Sequence, residues 1–161
     1  MKTFKVETNV RVFASVNELS KEDQHLIEQA KEAAKGAYAP YSHFNVGAAV
    51  LLENGVVVKG SNQENAAYPS GICAERVAIF AAGSNYPGVK IKTMAVTAFS
   101  KNARIDSPIT PCGSCRQVMS EYETKSRSDI KLLLCADCDE IWMLESVKST
   151  LPLLFSSDSL K

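Results

Sequence analysis

The fold is decided by one stretch, residues 44–61, which reads FNVGAAVLLENGVVVKGS. Two runs rich in Val, Leu and Ala flank Glu53-Asn54-Gly55, and an Asn-Gly pair between such runs predicts a tight β-hairpin. Beyond residue 61, helical and strand patterns alternate. Alternation after a hairpin indicates an α/β fold, which we expect to be a three-layer α/β/α sandwich with a central mixed sheet of about five strands.

The helices and remaining strands follow from capping signals and hydrophobic periodicity. Ser20-Lys21-Glu22-Asp23 resembles a capping box, and the helix that follows should end near residues 36–38. A second helix should start at Cys73 and end at Gly83, and a third should start near Pro111. Apolar, β-prone runs predict strands at 93–99, 130–135 and 140–144, and a short helix follows at 145–151.

The amino terminus is set apart from this pattern. Residues 3–13 alternate apolar and polar side chains, which is typical of a strand with one solvated face. We expect residues 1–19 to be an extension that adds a strand, and residues 20–161 to form a single domain, because 161 residues suit one compact core better than two.

Composition narrows the kinds of partner. Eighteen basic residues balance eighteen acidic ones without a basic block, so the charge pattern of a nucleic-acid binder is missing and a small, neutral ligand fits better. No apolar run approaches the roughly 18 residues of a membrane span. Five cysteines behind a start that does not resemble a signal peptide indicate a reducing compartment, and we expect a cytoplasmic protein that does not bind membranes.

Two short motifs carry the chemistry: Cys73-Ala74-Glu75, and Pro111-Cys112-Gly113-Ser114-Cys115. All three cysteines fall at predicted helix starts, where free N–H groups and the helix dipole favour thiolates. Three thiolates suit zinc and leave one coordination position open for water, whose proton Glu75 could carry as a general acid–base. Three thiolates also leave a net negative charge on the site, which Arg76 or Arg116 could offset.

A second zinc arrangement competes on spacing alone. It is a four-cysteine ribbon with the pattern C-x₂-C-x₁₉-C-x₂-C, which would make the protein a non-enzymatic zinc module built on Cys112, Cys115, Cys135 and Cys138. This alternative leaves Cys73-Ala74-Glu75 without a role. Cys135 also ends an apolar run, where a free cysteine is commonly a small buried hydrophobe.

The pairing of Cys-Ala-Glu with Pro-Cys-x-x-Cys resembles the zinc-dependent nucleoside deaminases, and the chain is most similar to the small homotetrameric cytidine deaminases with a three-cysteine zinc site. The resemblance covers roughly residues 22–160. Beyond the metal motifs it rests on runs in the family's order, namely Ala39-Pro40-Tyr41-Ser42-His43-Phe44, Val46-Gly47-Ala48-Ala49, residues 60–68 (GSNQENAAY), and Leu151-Pro152 followed by Phe155.

The resemblance implies one zinc ion per chain, bound by Cys73, Cys112 and Cys115, with Glu75 as the proton shuttle. It implies hydrolysis of cytidine and deoxycytidine to uridine and deoxyuridine plus ammonia, within pyrimidine salvage. It implies a homotetramer with shared active sites and Arg76 as a balance for the thiolate charge. The implied substrate-binding residues are Phe44, Asn62, Glu64, Tyr68, Ala74 and, from a neighbouring subunit, Phe155.

Related deaminases of other substrates remain open. A deoxycytidylate deaminase needs a cationic phosphate pocket, and no cluster of Arg or Lys indicates one here. Deaminases of the antibiotic blasticidin S share the three-cysteine site, but they lack the Asn-x-Glu pair found here at Asn62 and Glu64. An Asn and a Glu together offer a sugar diol both donors and acceptors.

Overall fold

A computed structural model of the protein describes residues 1–160. The strands are β1 (Arg11–Phe13), β2 (Phe44–Leu52), β3 (Val57–Ser61), β4 (Ile91–Ser100), β5 (Lys131–Leu134) and β6 (Ile141–Leu144). The helices are α1 (Lys21–Lys35), α2 (Ala74–Asn85) and α3 (Gly113–Ser126), and short 3₁₀ turns lie at Val16–Glu18, Tyr68–Ser70, Val147–Thr150 and Ser157–Leu160. Within residues 1–160, no helix is both long enough and apolar enough to cross a membrane.

The strands form one mixed sheet in the order β1-β6-β5-β4-β2-β3. Within the described chain, β4 and β5 are the one parallel pair, and all other neighbours are antiparallel. The predicted mixed α/β sheet is confirmed, but it has six strands rather than five. The sixth strand is β1, whose three residues pair with β6 at one edge of the sheet.

Side chains alternate between the two faces of the central strands, and this divides the core into two layers. Ala48, Val50 and Leu52 of β2 lie in one hydrophobic cluster with side chains of α2 and with Met119 of α3. The intervening Ala49 and Leu51 lie in a second cluster with side chains of α1. Because successive strand residues point to opposite faces, the sheet is covered on both sides and the three-layer sandwich follows.

Two glycines let helices lie directly on the hairpin. A Cβ at Gly47 would stand 2.0 Å from the carbonyl oxygen of Ala30 in α1. A Cβ at Gly60 would stand 2.4 Å from the backbone nitrogen of Ala78 in α2. Only a residue without a side chain permits such close contact, so Gly60 fixes how near α2 lies to the sheet.

The hairpin itself forms as predicted. Residues 53–56 join β2 to β3, and a hydrogen bond from Leu52 N to Val56 O of 2.9 Å encloses a loop of three residues that ends at Gly55, with φ +83°. A glycine in the left-handed region is the usual closing residue of such a loop.

The cap of α1 differs in detail from the predicted capping box. The Ser20 hydroxyl accepts a hydrogen bond from Asp23 N at 3.2 Å, as expected, but the Asp23 carboxylate bonds the Ser20 hydroxyl instead of its backbone. Asp23 also forms an ion pair with Lys131 of β5, with Nζ 2.6 Å from Oδ1. Asp23 therefore ties α1 to the sheet as well as capping the start of the helix.

Two predicted boundaries are wrong. The helix α2 continues through Gly83 to Asn85, because Gly83 is a contact point with α3: a Cβ there would stand 2.5 Å from Oη of Tyr122. The strand predicted at 3–13 contains only Arg11–Phe13, and residues 1–10 lie exposed outside the sheet. The division of the chain at residue 19 stays a prediction, although Leu19 is buried in the α1 cluster.

A buried carboxylate fixes α3 to the carboxyl-terminal part of the fold. Glu123 is 1% exposed. Its carboxylate accepts hydrogen bonds from Ile130 N at 3.1 Å, Val147 N at 2.9 Å and the Ser146 hydroxyl at 2.6 Å. Full pairing allows a carboxylate to be buried, and this one holds the turns before β5 and after β6 against the helix.

Candidate metal centre and its cleft

Three sulfur atoms meet between the amino-terminal ends of α2 and α3. Cys73 is the residue before α2, Cys112 is the residue before α3, and Cys115 lies in the first turn of α3. The sulfur of Cys112 is 3.9 Å from that of Cys73 and 3.5 Å from that of Cys115. The two sequence motifs, whose nearest sulfurs are 39 residues apart in the chain, thus form one cluster.

The donor set and its spacing fit a zinc ion. Sulfurs bound to zinc at about 2.3 Å in tetrahedral geometry lie about 3.8 Å apart, close to the two separations given above. The three sulfurs all lie within 4.8 Å of one another, and in the described part of the chain no fourth His, Cys, Asp or Glu belongs to this group. Three protein ligands leave a coordination position open, as in catalytic rather than structural zinc sites.

Hydrogen bonds within the cluster favour a thiolate at Cys73. The pKa of Cys73 is lowered to about 5, chiefly because its sulfur accepts a hydrogen bond from the Cys115 thiol, with a further contribution from Arg76. The same hydrogen bond is the main cause of a raised pKa of Cys115. The free N–H groups at the start of α2 favour the thiolate in addition.

Arg76 and Arg116 have different surroundings. Nη2 of Arg76 donates to the sulfur of Cys73 at 3.6 Å, whereas its Nε is buried and has no hydrogen-bond partner among residues 1–160. Arg116 instead bonds backbone oxygens, with Nε 2.7 Å from Pro111 O and Nη1 3.0 Å from Thr150 O. Arg76 therefore stands beside the thiolates, and Arg116 braces the loop that precedes α3.

Glu75 lies in the first turn of α2 and faces the same space. Its side chain lines the cleft next to Cys73, although the residue is only 4% exposed. Burial is the main cause of a raised pKa of Glu75, and the negative charge on Cys73 adds to it. A carboxyl group in this environment can hold a proton and release it, which is the requirement for a general acid–base.

The cleft has a volume of about 930 Å³ and brings most of the predicted site residues together. Its lining includes Phe44, Asn62, Glu64 and Tyr68 together with Cys73, Glu75, Arg76 and Cys112. Three predicted residues do not line it. Cys115 lies buried behind the cleft, Ala74 is fully buried as the first residue of α2, and Phe155 is 59% exposed on the carboxyl-terminal segment.

Asn62 and Glu64 are both held by backbone groups of residues 41–46, at the start of β2 and in the turn before it. Oδ1 of Asn62 accepts from Val46 N at 2.8 Å, and its Nδ2 donates to Phe44 O at 2.9 Å. The side-chain amide of Asn62 thus continues the hydrogen bonding between β2 and the end of β3. The second N–H of this amide makes no hydrogen bond among residues 1–160. The carboxylate of Glu64 accepts from Tyr41 N at 2.9 Å, and a hydrogen bond from the Ser42 hydroxyl is the main cause of the lowered pKa of Glu64.

Sequence reasoning missed one wall of the cleft. Ile105, Ser107, Pro108, Ile109 and Thr110 all line it, although the sequence analysis assigned no role to this loop between β4 and α3. Two isoleucines and a proline just before the Cys112 motif were the available signal. Tyr41 and Ser42, in the turn before β2, also line the cleft.

The remaining cysteines stand apart from the metal centre. Cys135 is fully buried, its thiol lies 3.4 Å from Val96 O, and burial raises its pKa. The thiol of Cys138 lies 3.7 Å from Glu140 O. In the described chain neither cysteine belongs to the sulfur group of Cys112 and Cys115, so the four-cysteine ribbon is wrong.

Comparison with known proteins agrees with this geometry. A family model described as "Cytidine and deoxycytidylate deaminase zinc-binding region" matches residues 20–128. The chain is 41% identical over 138 residues to a cytidine deaminase of Sporosarcina psychrophila, across 85% of this chain and 93% of that protein. It is 46% identical over 98 residues to a cytidine deaminase of Halalkalibacterium halodurans, across 61% of this chain and 70% of the relative.

A solved structure shares the architecture. The crystal structure of a cytidine deaminase from Burkholderia pseudomallei superimposes with a TM-score of 0.71 at 39% sequence identity. The match covers 81% of this chain and 97% of the other.

Proposed function

The chain belongs to the family of cytidine and deoxycytidylate deaminases that carry this zinc-binding region, and from that membership we propose that it hydrolyses cytidine and deoxycytidine to uridine and deoxyuridine, with release of ammonia. One observation carries the proposal: the three sulfurs that can hold zinc lie together at the cleft that Cys73, Cys112 and the buried carboxyl of Glu75 line. The protein is therefore a zinc-dependent deaminase, and the finer assignments below are our own.

The metal centre would be held by Cys73, Cys112 and Cys115. Zinc bound by these cysteines would polarise a water molecule and lower the pKa of that water to about 7. Arg76 offsets part of the negative charge of the three thiolates through its hydrogen bond to Cys73.

Glu75 carries the proton through the reaction. Its carboxylate accepts a proton from the water that attacks C4 of the pyrimidine, and then protonates ring nitrogen N3. Glu75 next takes the proton of the hydroxyl group now on C4 and passes it to the amino group, so that the C4–N bond breaks, the C4 carbonyl forms and ammonia leaves. The raised pKa of Glu75 supports this role, because a carboxyl that is easily protonated can act as both base and acid.

The other end of the cleft suits a nucleoside. Glu64 and the free N–H of Asn62 provide an acceptor and a donor for sugar hydroxyls, while Phe44 and Tyr68 provide aromatic surface for the rest of the molecule. Ala74 would contribute through its position between Cys73 and Glu75. A site built to bind hydroxyls rejects analogues that lack them.

We further propose a homotetramer in which Phe155 contacts the site of a neighbouring copy. The exposure of Phe155 and of Tyr68, 59% and 79%, supports a surface that another subunit covers. A cytoplasmic location follows as a proposal from the need to keep the cysteines reduced.

The test is an ultraviolet assay of the purified protein on cytidine, run beside deoxycytidine, deoxycytidylate and blasticidin S, with zinc per chain measured on the same sample. We expect loss of the cytidine spectrum, one zinc per chain, and loss of activity when a chelator removes the metal. Turnover of blasticidin S alone would replace the substrate assignment. Bound zinc without turnover of any of the four compounds would contradict the proposal.

A further inference from the structure

The turn that precedes β2 is held by the carboxylate of Glu64. Oε2 of Glu64 accepts hydrogen bonds from Tyr41 N at 2.9 Å and from Ser42 N at 3.3 Å. Its other oxygen, Oε1, accepts a short hydrogen bond from the hydroxyl of Ser42. Glu64 follows β3 in the chain, so these bonds join two segments that are more than 20 residues apart.

Ser42 also connects this carboxylate to Phe44. Its hydroxyl accepts a hydrogen bond from Phe44 N at 3.0 Å while it donates to Glu64. Between them, His43 has a φ of +55°, a left-handed conformation that is uncommon for residues other than glycine. The Ser42 carbonyl is held in turn by Nδ2 of Asn102 at 3.4 Å. The turn is therefore fixed from both sides.

The hydrogen-bonding capacity of Glu64 is nearly used up. A carboxylate can accept about four hydrogen bonds, and three are made within the chain. The remaining capacity is on Oε1, the oxygen that Ser42 also contacts. The direction in which Glu64 can accept a bond from a ligand is thus set by the Ser42 hydroxyl.

We propose that Ser42 is a positioning residue that aims Glu64 at the sugar of the substrate and so determines selection for a nucleoside that carries sugar hydroxyls. The inference rests on the proposed function and extends it to a residue outside the metal and proton-transfer groups. Ser42 acts through Glu64 and, through Phe44 N, also fixes the start of β2 at the mouth of the cleft.

A purely structural role for Ser42 makes a different prediction. Ser15 makes the same bond two residues on, because its hydroxyl accepts from Asn17 N at 3.2 Å, while its backbone N, and not its hydroxyl, donates to the carboxylate of Glu18 at 3.0 Å. Ser15 lies outside the cleft lining. Both serines sit in surface turns, so alanine at either position removes a turn-stabilising hydroxyl without opening a core cavity. Only Ser42→Ala should alter how the enzyme distinguishes sugars.

The experiment measures kcat and KM for cytidine and for 2′,3′-dideoxycytidine, which lacks both hydroxyls, with the melting temperature of each variant. For Ser42→Ala we expect KM for cytidine to rise about tenfold with kcat changed less than twofold. The reason is that the variant loses the hydrogen bond that orients the charged carboxylate of Glu64. KM for the dideoxynucleoside should stay unchanged, so the preference for cytidine falls about tenfold. Ser42→Thr, which keeps the hydroxyl, should retain the preference, and Ser15→Ala should leave it at the wild-type value.

A double variant separates action through Glu64 from direct contact between Ser42 and the sugar. If Ser42 acts through Glu64, the double variant that combines Ser42→Ala and Glu64→Gln should lose as much of the preference for cytidine over the dideoxynucleoside as Glu64→Gln alone. Additive losses, or an unchanged preference in a folded Ser42→Ala protein, would overturn the inference and leave the proposed function intact. Absence of cytidine turnover by the wild-type chain would overturn the proposed function and this inference with it.

Discussion

Two glutamates at opposite ends of one cleft differ in their surroundings. Glu75 is almost fully buried, and desolvation raises its pKa. Glu64 lies near the surface, and hydrogen bonds to the Ser42 hydroxyl and to the backbone lower its pKa. A carboxyl that is easily protonated suits proton transfer, whereas one that stays ionised suits the binding of hydroxyl donors. The environment of each residue separates the two proposed roles.

Replacement of Glu75 tests the first of these roles. In Glu75→Gln the three sulfurs are untouched, so we expect one zinc per chain and a melting temperature close to that of the wild type. The amide cannot accept the proton, and kcat should fall by about 10²- to 10⁴-fold. Glu121→Gln, at an exposed position of α3, serves as the matched control. Turnover near the wild-type rate would remove Glu75 from the mechanism.

At the scale of elements, the metal centre depends on how closely α2 approaches the sheet. The contact of α2 with Gly60 lies in the first turns of the helix, between Ala74 and Ala78, next to Cys73 and Glu75. The three sulfurs lie within 4.8 Å of one another, so a shift of α2 by an ångström changes the spacing that zinc requires.

Gly60→Ala should therefore disturb both stability and metal binding. Its Cβ would stand 2.4 Å from Ala78 N and 2.6 Å from Ala74 O, backbone atoms that cannot rotate away. We expect a loss of about 1–3 kcal/mol in the free energy of unfolding, measured with urea, and less zinc per chain. Gly36→Ala is the control, because a Cβ there meets only ordinary contacts at 3.5 Å or more. Full zinc content in Gly60→Ala would show that α2 can move without harm.

The buried Glu123 makes a second prediction about elements. Alanine at this position would leave the N–H groups of Ile130 and Val147 buried without partners, at a cost of about 2–4 kcal/mol in the free energy of unfolding. Glu121→Ala, on the exposed face of the same helix, should change stability by less than about 0.5 kcal/mol. Equal urea midpoints for the two variants would contradict the assignment of Glu123 as an anchor.

At the scale of the whole molecule, local signals in the sequence predicted the architecture but not the positions that depend on contacts between distant segments. The Asn54-Gly55 pair and the Ser20 cap act within a few residues, and both appear in the structure. Gly83 carries the same local signal as a helix end, yet α2 continues because Tyr122 packs against it. Pro108 and Ile109 became cleft residues only through the packing of their loop, which no local pattern encodes.

In the candidate site, too, the sequence predicted what local patterns encode and not what depends on folding. Cys73, Cys112 and Cys115 were recognisable because zinc ligands need particular residue types at particular spacings, and the structure brings them together. The sequence could not separate the roles of the two arginines, since Arg76 lies three residues after Cys73 and Arg116 directly follows Cys115. Only the folded chain directs Arg76 to a sulfur and Arg116 to backbone oxygens.

The proposed assembly is tested through Phe155. In Phe155→Ala we expect KM for cytidine to rise several-fold, with zinc content unchanged, because an aromatic contact contributed by a neighbouring copy is lost. Leu153→Ala, 79% exposed in the same segment, is the control for general effects on the tail. Light scattering should give the mass of four chains for the wild type. A monomer with full activity would exclude shared sites.

The position of β4 also predicts the order in which the chain folds and binds zinc. In the chain, β4 lies between Cys73 and Cys112, and in the sheet it lies between β2 and β5. The β2–β3 hairpin and α1 need only contacts within residues 21–61, whereas the two halves of the metal centre cannot meet until β4 has paired with β2. Local contacts form faster than distant ones. We therefore expect a refolding chain to bind zinc only after the hairpin has formed, so that the time course of zinc binding reports when β4 pairs with β2.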